Sequence, residues 1–299
     1  MGGWVAGRPE DVPRVADAGD LGWHPLVTCP APMTEPLARG LERAGVSFLV
    51  EWIEGASRHP QRPPGLEVRR FGGAVAFVCP SRPEIDFLNR VHDLWPEDEG
   101  EVERIAGFYR GLGVRPWFEL GPADGFDRLA AALAAVGASQ IDFHTMLHGR
   151  PRPAPPGGSD VAVREIGPGE LHGFVSVFLD GLQVKSPDRA LHAHWGDVPG
   201  WRLYLASVGG EPAGAAVLRI GDGVGYLAAA STLPQFRRSG CQAALIARRL
   251  ADAAAAGCEL VASQAAFGSP SQRNLERAGL RIAFTKAVWR VRDRVGTRP

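Results

Sequence analysis

Lysine is almost missing from this chain: Lys185 and Lys286 are the only two in 299 residues. Thirty-three basic residues balance 33 acidic ones, so nearly all positive charge sits on arginine, whose planar fork suits bidentate phosphate or carboxylate contacts. Without net charge there is no global field to draw in nucleic acid or an anionic membrane, and any anion site must be local. Cysteine is scarce as well. Cys29, Cys79, Cys241 and Cys258 form no CxxC pair, which excludes a disulfide scaffold and points to a reducing cytoplasm. The N-terminus lacks a basic segment followed by an apolar core, and no run approaches the ~18–20 apolar residues that cross a bilayer. Missing too are the GxxxxGK[ST] loop, the GxGxxG fingerprint before a helix and the GxSxG elbow, so nucleotide triphosphates, dinucleotides and serine hydrolysis are not implied. The tryptophans, Trp117, Trp195, Trp201 and Trp289 among them, form no regular stacking platform for nucleic acid. His192 and His194, and His144 and His148, lack a third ligand at a recognised spacing, and no metal site is expected.

What is present is core-forming material, with 45% hydrophobic and 22% charged residues, in a length that suits two domains. The segment PRPAPPGGSD, 151–160, is dense in proline and glycine and reads as a connector. It divides the chain into 1–150 and 161–299. Beyond it, strands are expected at 161–167, 201–208, 213–220, 224–232, 259–266 and 281–291, and helices at 171–182, 241–256 and 269–279. Asp222-Gly223 marks a hairpin turn. The expected class is α+β, a mixed and mostly antiparallel sheet flanked by helices. In the first part, 72–79, 115–121 and 140–148 read as strands and 99–113 and 126–137 as helices. AAVGASQIDFHTM resembles ERAGLRIAFTKAV, which makes a diverged internal duplication an expectation. Residues 1–60 do not repeat convincingly.

The informative segment is STLPQFRRSGCQAALI, 231–246, between a strand and an alanine-rich helix. Arg237, Arg238, Ser239 and Gly240 precede the helix, where free N–H groups and the positive end of the helix dipole gather. Such a turn can cradle a pyrophosphate, with Gly240 allowing close approach and Ala243 and Ala244 leaving room. A plain strand-to-helix loop with solvated arginines has the same composition.

Residues 161–292 resemble the GNAT superfamily of acyl-coenzyme-A-dependent N-acyltransferases, whose signature is a strand, a short link with proline and R/Q-x-x-G-x-G/A opening a helix. Here it reads from Pro234 through Arg237, Arg238, Ser239, Gly240 and Cys241 to Gln242, with Gln242 where the family usually has glycine or alanine. The resemblance implies that the backbone around Ala230, Thr232 and Leu233 pairs with pantetheine amides. It implies that the loop from Arg237 to Ala243 holds the pyrophosphate, that the strands at 224–232 and 259–266 splay apart, and that Asn274 touches the pantetheine arm. It also implies acetyl-coenzyme A as co-substrate and direct attack by an amine, on a small molecule or a protein, with the carbonyl polarised by a strand N–H near Thr232.

The tyrosine that many relatives use as acid is absent, and Leu275 stands in its place. Ser269 and Ser271 are replacement candidates, each with helix capping as its ordinary function. Glu165, Tyr226, His192 and His194 are candidates for the base. In the first half, Glu97, Asp98, Glu99, Glu101 and Glu103 occupy the place of the phosphate loop and would repel a pyrophosphate, so one coenzyme site per chain is expected. A non-catalytic acyl-coenzyme A sensor is the alternative. No feature of the sequence sets an oligomeric state.

Overall fold

The computed structural model describes residues 32–153, 160–167, 169–184 and 189–292, and it opens on a helix that sequence reasoning left unassigned. Helix α1, Glu35–Ser57, starts at Thr34, whose hydroxyl accepts from the Leu37 N–H at 3.4 Å, with Pro36 in the first turn. Ala38, Leu41, Gly45, Phe48, Trp52 and Ala56 recur every three or four residues and are buried, which is the stripe that drives an amphipathic helix onto a sheet.

The remaining elements of the first half are β1 (Glu67–Phe71), β2 (Ala74–Val78), β3 (Arg90–His92), α2 (Glu101–Gly111), β4 (Trp117–Leu120), α3 (Phe126–Ala135) and β5 (Ala138–Gly149). After the connector come β6 (Val161–Glu165), α4 (Leu171–Leu182), β7 (Trp201–Val208), β8 (Glu211–Gly221), β9 (Val224–Thr232), α5 (Cys241–Ala255), β10 (Leu260–Ala266), α6 (Pro270–Arg277) and β11 (Arg281–Val291). Most expected elements are in place. The strand expected at 72–79 instead begins in a turn, with Gly72 at φ +58° and β1, which the sequence reading missed, on its other side. A Cβ on Gly72 would sit 2.5 Å from the Asp98 carboxylate, so the turn needs glycine.

All eleven strands join one sheet in the order β1-β2-β3-β4-β11-β5-β10-β9-β8-β7-β6. Among the described residues only β3·β4 and β9·β10 are parallel neighbours. The two longest-range pairings lie at the centre. Strand β5 is flanked by β11 and β10, both from beyond the connector, and β11 is flanked by β5 and by β4 of the first half. Outward from the β5·β11 pair the sheet runs β10-β9-β8-β7 on one side and β4-β3-β2-β1 on the other, with the parallel step in the same place. Helices α5 and α2 connect the parallel partners, and α6 and α3 lead into the central strands. The two wings therefore share one order of elements.

Three cores follow from the alternation of side chains across the sheet. One face packs against α1 and α4 through Phe48, Trp52, Phe174, Phe178 and Trp195. The other carries α5 and α6 over Leu147, Leu218 and Leu227, and α2 and α3 over Val91 and Phe118. Helix α1 is fixed to the second half by polar contacts as well. Glu51 takes both arms of Arg219, at 2.7 and 2.9 Å, and the Trp201 indole at 2.7 Å, and Trp52 donates to the Leu191 carbonyl at 2.6 Å.

Removing the first half strips β5 from between β10 and β11 and β4 from the far side of β11, leaving β10 with one unpaired edge, β11 with two, and an apolar face uncovered. A chain beginning at Asp160 is expected to aggregate or to melt without a cooperative transition in circular dichroism, and co-expression with residues 32–153 is expected to restore one. A C-terminal half that melts cooperatively by itself would refute the interdependence.

Candidate active site

The site begins with two parallel strands that part early. β9 and β10 pair only where Val224–Tyr226 meet Leu260–Ala262, although β9 runs on to Thr232 and β10 to Ala266. A bulge causes the divergence: between the pairs Ala216↔Ala230 and Leu218↔Leu227, Ala228 and Ala229 together stand opposite Val217, and an extra residue bends and twists the strand that carries it. Arg249 of α5 fills the bend. Its guanidinium donates to the carbonyls of Leu245 at 3.0 Å and of Val217 and Ala228 at 3.2 Å. Burial pulls its pKa down to about 10, which leaves it cationic at neutral pH.

Past the bulge, Leu233 N–H bonds to the Ala213 carbonyl at 2.9 Å. Because amide directions alternate along an antiparallel ladder, Ser231 also faces β8, while the N–H and C=O of Ala230 and Thr232 face the opening.

A cavity of about 360 Å³ occupies that opening. Gln242, Ile246 and Arg249 of α5 and Ser271 and Leu275 of α6 line it on one face of the sheet, and Gly45, Phe48 and Trp52 of α1 on the other. The cavity thus passes through the sheet. Tyr226 borders it with its phenol kept protonated by burial and by the charges of Glu42 and Glu119. Its hydroxyl lies 3.1 Å from where a Cβ on Gly45 would be, so α1 approaches this ring only because position 45 is glycine.

On the α1 side, polar residues cross the centre of the sheet. Lys286 Nζ contacts Glu42 Oε1 at 2.7 Å, Glu119 Oε1 at 3.0 Å and Gln264 Oε1 at 3.0 Å. Glu119 also meets Arg90 at 2.8 Å, His144 Nδ1 at 3.0 Å and Gln264 Nε2 at 2.5 Å. Burial alone would raise the Glu119 carboxyl, but Lys286 and His144 outweigh it and hold the group well below the ordinary range. Burial likewise works against the charge of Lys286, yet Glu119 and Glu42 raise its pKa. Glu42 is displaced upward, because burial exceeds the pull of Lys286 and Glu119 repels it. Burial drives His92 down to about 3, so it is neutral. Lys286, His144, His92 and Gln264 all border the cavity.

Beside the cavity lies the loop before α5. Gly240 has φ +88° and Arg238 φ +70°. Ala244 N–H bonds to the Gly240 carbonyl at 3.0 Å, but the N–H groups of Gly240, Cys241, Gln242 and Ala243 have no acceptor among the described residues, and no side chain caps the helix. Four free donors at the start of a fifteen-residue helix are what an anion requires. Arg237 is tied to Gly181 O at 3.3 Å and Gln183 Oε1 at 2.9 Å, whereas Arg238 is exposed. Ser239 Oγ donates to Phe236 O at 2.6 Å and lies 3.3 Å from the Cys241 sulfur. Gln242 reaches back to Thr232 Oγ1 at 3.1 Å, linking the loop to the opening.

The remaining sequence candidates separate. Ser269 is occupied as the α6 cap, accepting from Gln272 N–H at 3.2 Å, while Ser271 borders the cavity with Leu275. Asn274 lines a different cavity, of about 420 Å³ between α5 and α6, with Ala243 and Arg277. Glu165 is exposed on β6, His192 is buried among Trp52, Phe178 and Trp195, and His194 lies over Gly55; none of these three borders the through-sheet cavity. The acidic run of the first half is internally engaged: Glu97 pairs with Arg39 at 2.6 Å, Asp98 accepts from Gly73 N–H at 2.8 Å, and Glu101 pairs with Arg104 at 2.6 Å. Sequence reasoning missed Arg249, Glu119, Gln264 and the environment of Lys286. One signal was available, a lone lysine inside the apolar alternation of RIAFTKAVWRV. Among the described residues no three His, Cys, Asp or Glu side chains gather to hold a metal ion, and no helix is long and apolar enough to cross a membrane.

Residues 169–280 match the model of the acetyltransferase (GNAT) family. A GCN5-related N-acetyltransferase from Kribbella flavida superposes with a TM-score of 0.55 at 17% identity, covering 83% of this chain and 95% of that one. One from Sphaerobacter thermophilus gives 0.55 at 13%, covering 73% and 76%. A functionally unknown conserved protein from Staphylococcus epidermidis gives 0.52 at 13%, covering 77% and 94%. At such identities the likeness is one of fold. No curated protein matches the chain.

Replacing Lys286 tests the polar row. Lys286→Met leaves buried Glu42 without a cation and Glu119 with Arg90 alone, a loss of about 3–5 kcal/mol at neutral pH. The pH dependence should also reverse. In the wild type the depressed Glu119 stabilises the fold above its unfolded pKa near 4.5 and ceases to as pH falls through its lower folded value. In the variant Glu42, already displaced upward by burial, loses the cation that pulled it down, so its proton uptake dominates and the melting temperature rises from about pH 7 to about pH 5. Parallel melting curves for the two proteins would refute the arrangement.

Proposed function

Because residues 169–280 are a GNAT acetyltransferase domain, we propose that this protein carries an acetyl group from acetyl-coenzyme A to a primary amine, on a small molecule or a protein, by direct attack in a ternary complex. The observation that carries the reading is the parting of β9 from β10 directly beside the uncapped start of α5. A diphosphate on the N–H groups of the loop from Arg237 to Ala243, including Arg238, Ser239, Gly240, Cys241 and Gln242, would leave the pantetheine arm entering the opening. There the N–H and C=O groups of Ala230 and Thr232 are available to it, whereas Leu233 is already engaged, its N–H on the Ala213 carbonyl and its carbonyl on the Phe236 N–H, both at 2.9 Å. Asn274, beside Ala243, would meet the coenzyme outside the strand gap.

Bound acetyl-coenzyme A supplies a thioester with a stable leaving group. The chain aligns it, excludes water with α1 and presents strand N–H groups to the carbonyl. Ser271, which lines the cavity where α6 begins, would be the serine to assist the leaving sulfur on this reading, since the Ser269 hydroxyl is taken up by the Gln272 N–H. Leu275 in the wall, where many relatives have a tyrosine, favours the second reading, a cytoplasmic acyl-coenzyme A sensor without turnover. The first half, joined through 151–160, is a degenerate copy of the same fold on this reading, and its acidic loop leaves one coenzyme site per chain.

Thiol release from acetyl-coenzyme A in the presence of a primary-amine panel separates enzyme from sensor. The loop is tested by Gly240→Val. A Cβ there meets nothing nearer than Val161 Cγ2 at 3.9 Å, but a β-branched residue disfavours φ +88° and blocks the anion. Coenzyme A affinity should fall at least about tenfold by calorimetry, a change of about 1.4 kcal/mol, with the circular dichroism spectrum retained. Unaltered affinity would remove the loop from the site.

A further inference from the structure

An amine protonated at neutral pH must lose a proton before it attacks, and the acceptor of that proton has to reach the reacting nitrogen. The cavity wall offers few groups that can take it. Glu119 is completely buried, with both oxygens engaged by Lys286, His144 and Arg90. Lys286 is already protonated, the Tyr226 phenol holds its proton, and His92 is a buried neutral ring on β3. His144 differs from all of these. It borders the cavity, its side chain is 20% exposed, and its Nε2 has no partner among the described residues. Its Nδ1 lies 3.0 Å from the Glu119 carboxylate, which has no proton to share and therefore places one on Nδ1. Gln264 keeps that geometry. Lys286 donates to its carbonyl at 3.0 Å, which turns its NH₂ onto Glu119 Oε1 at 2.5 Å, the same oxygen that His144 meets, with the amide nitrogen 3.0 Å from His144 Nδ1, so two donors converge on one carboxylate oxygen.

We infer that His144 is the general base of the acetyl transfer, with its lone pair on Nε2 directed into the cavity and Glu119 stabilising the imidazolium that forms. The inference rests on the acetyltransferase reading and adds a residue outside the domain that carries the family likeness. β5 comes from the first half, so the proton acceptor is delivered by the strand that this half inserts beside β10. In the step, the ammonium of the acceptor gives one proton to Nε2, and its freed lone pair forms the C–N bond at the acyl carbon. The C–S bond breaks with its electrons remaining on sulfur. The second nitrogen proton reaches the thiolate through solvent, the imidazolium returns its proton to water, and the products are an amide, the free thiol and one released proton. The charged or titratable groups around the imidazole are Glu119 on β4, Lys286 opposite it on β11 and His92 on β3, with Glu42 of α1 paired to Lys286.

Bromoacetyl-coenzyme A tests the placement without knowledge of the acceptor, because its methylene carbon alkylates the nearest free nucleophile with loss of bromide. Incubated with the full chain and mapped by peptide mass spectrometry, it should label His144, and excess coenzyme A should suppress the label. His144→Gln should retain coenzyme A affinity within about twofold by calorimetry, keep its melting temperature and lose the label. A wild type that binds coenzyme A but is labelled at another residue, or at none, overturns His144 as base and leaves the coenzyme site standing. A wild type with no affinity for coenzyme A overturns the acetyltransferase reading itself, and the base with it.

Discussion

The antiparallel pair β5·β11 is the constraint on which the molecule depends. It joins residues 138–149 to residues 281–291, and each strand has its other edge covered by a strand of the opposite half. Neither half can close its sheet alone. Closing so long a loop adds little entropy cost beyond that of a shorter one, since the penalty grows only with the logarithm of length, but such non-local pairing makes folding slow. The exchange also explains why a connector rich in proline and glycine does not separate two bodies: residues from Thr34 onward form one compact unit.

Placing charge at the centre of that pair is costly, and an apolar row of the same shape would be as stable or more so. The row from Gln264 through His144 and Lys286 to Glu119 and His92 is tolerated because most of its polar atoms pair with one another across five strands and a helix, His92 Nδ1 and Glu42 Oε2 being the members left without a hydrogen bond among the described residues. Lys286 stands directly opposite His144 in the β5·β11 register, so the exchange brings both to one face. Arg249 solves a related problem differently. Among the described residues it has no carboxylate partner and is held by three carbonyls, two of them at the bulge that opens β9 from β10. One cation therefore stabilises the opening and another sets the polarity of its inner end.

Local signals carried most of the secondary structure. The serine cap and first-turn proline of α6, the glycine after α5 and the Asp222-Gly223 turn are each readable without tertiary information. In that turn both residues have positive φ, as a tight hairpin demands. The family likeness added the loop before α5. What stayed hidden was non-local. Nothing in the spacing of Glu119, His144, Gln264 and Lys286 brings them together; only the exchanged strands do. Helix α1 was legible in principle, with a threonine cap, Pro36 and a regular apolar stripe, but Gly40, Gly45 and Gly55 inside it weaken any reading from propensity. Two of these glycines are explained by close packing, Gly45 against Tyr226 and Gly55 against His194.

The two wings share an order of elements and differ in charge at one decisive place. Before α5 lie two arginines, a glycine at φ +88° and free N–H groups; before α2 lie acidic side chains already paired with Arg39 and Arg104 or with the Gly73 amide. A helix start of either kind attracts negative charge. In the first half the chain supplies that charge itself, from Glu97, Asp98 and Glu101. In the second it leaves the demand open, which is the physical condition for a diphosphate to be bound at one end of the molecule and not at both. With its own helix start satisfied, the first half contributes instead to the cavity of the second, with α1 as one wall and β5 as the strand that brings the His144 imidazole to it.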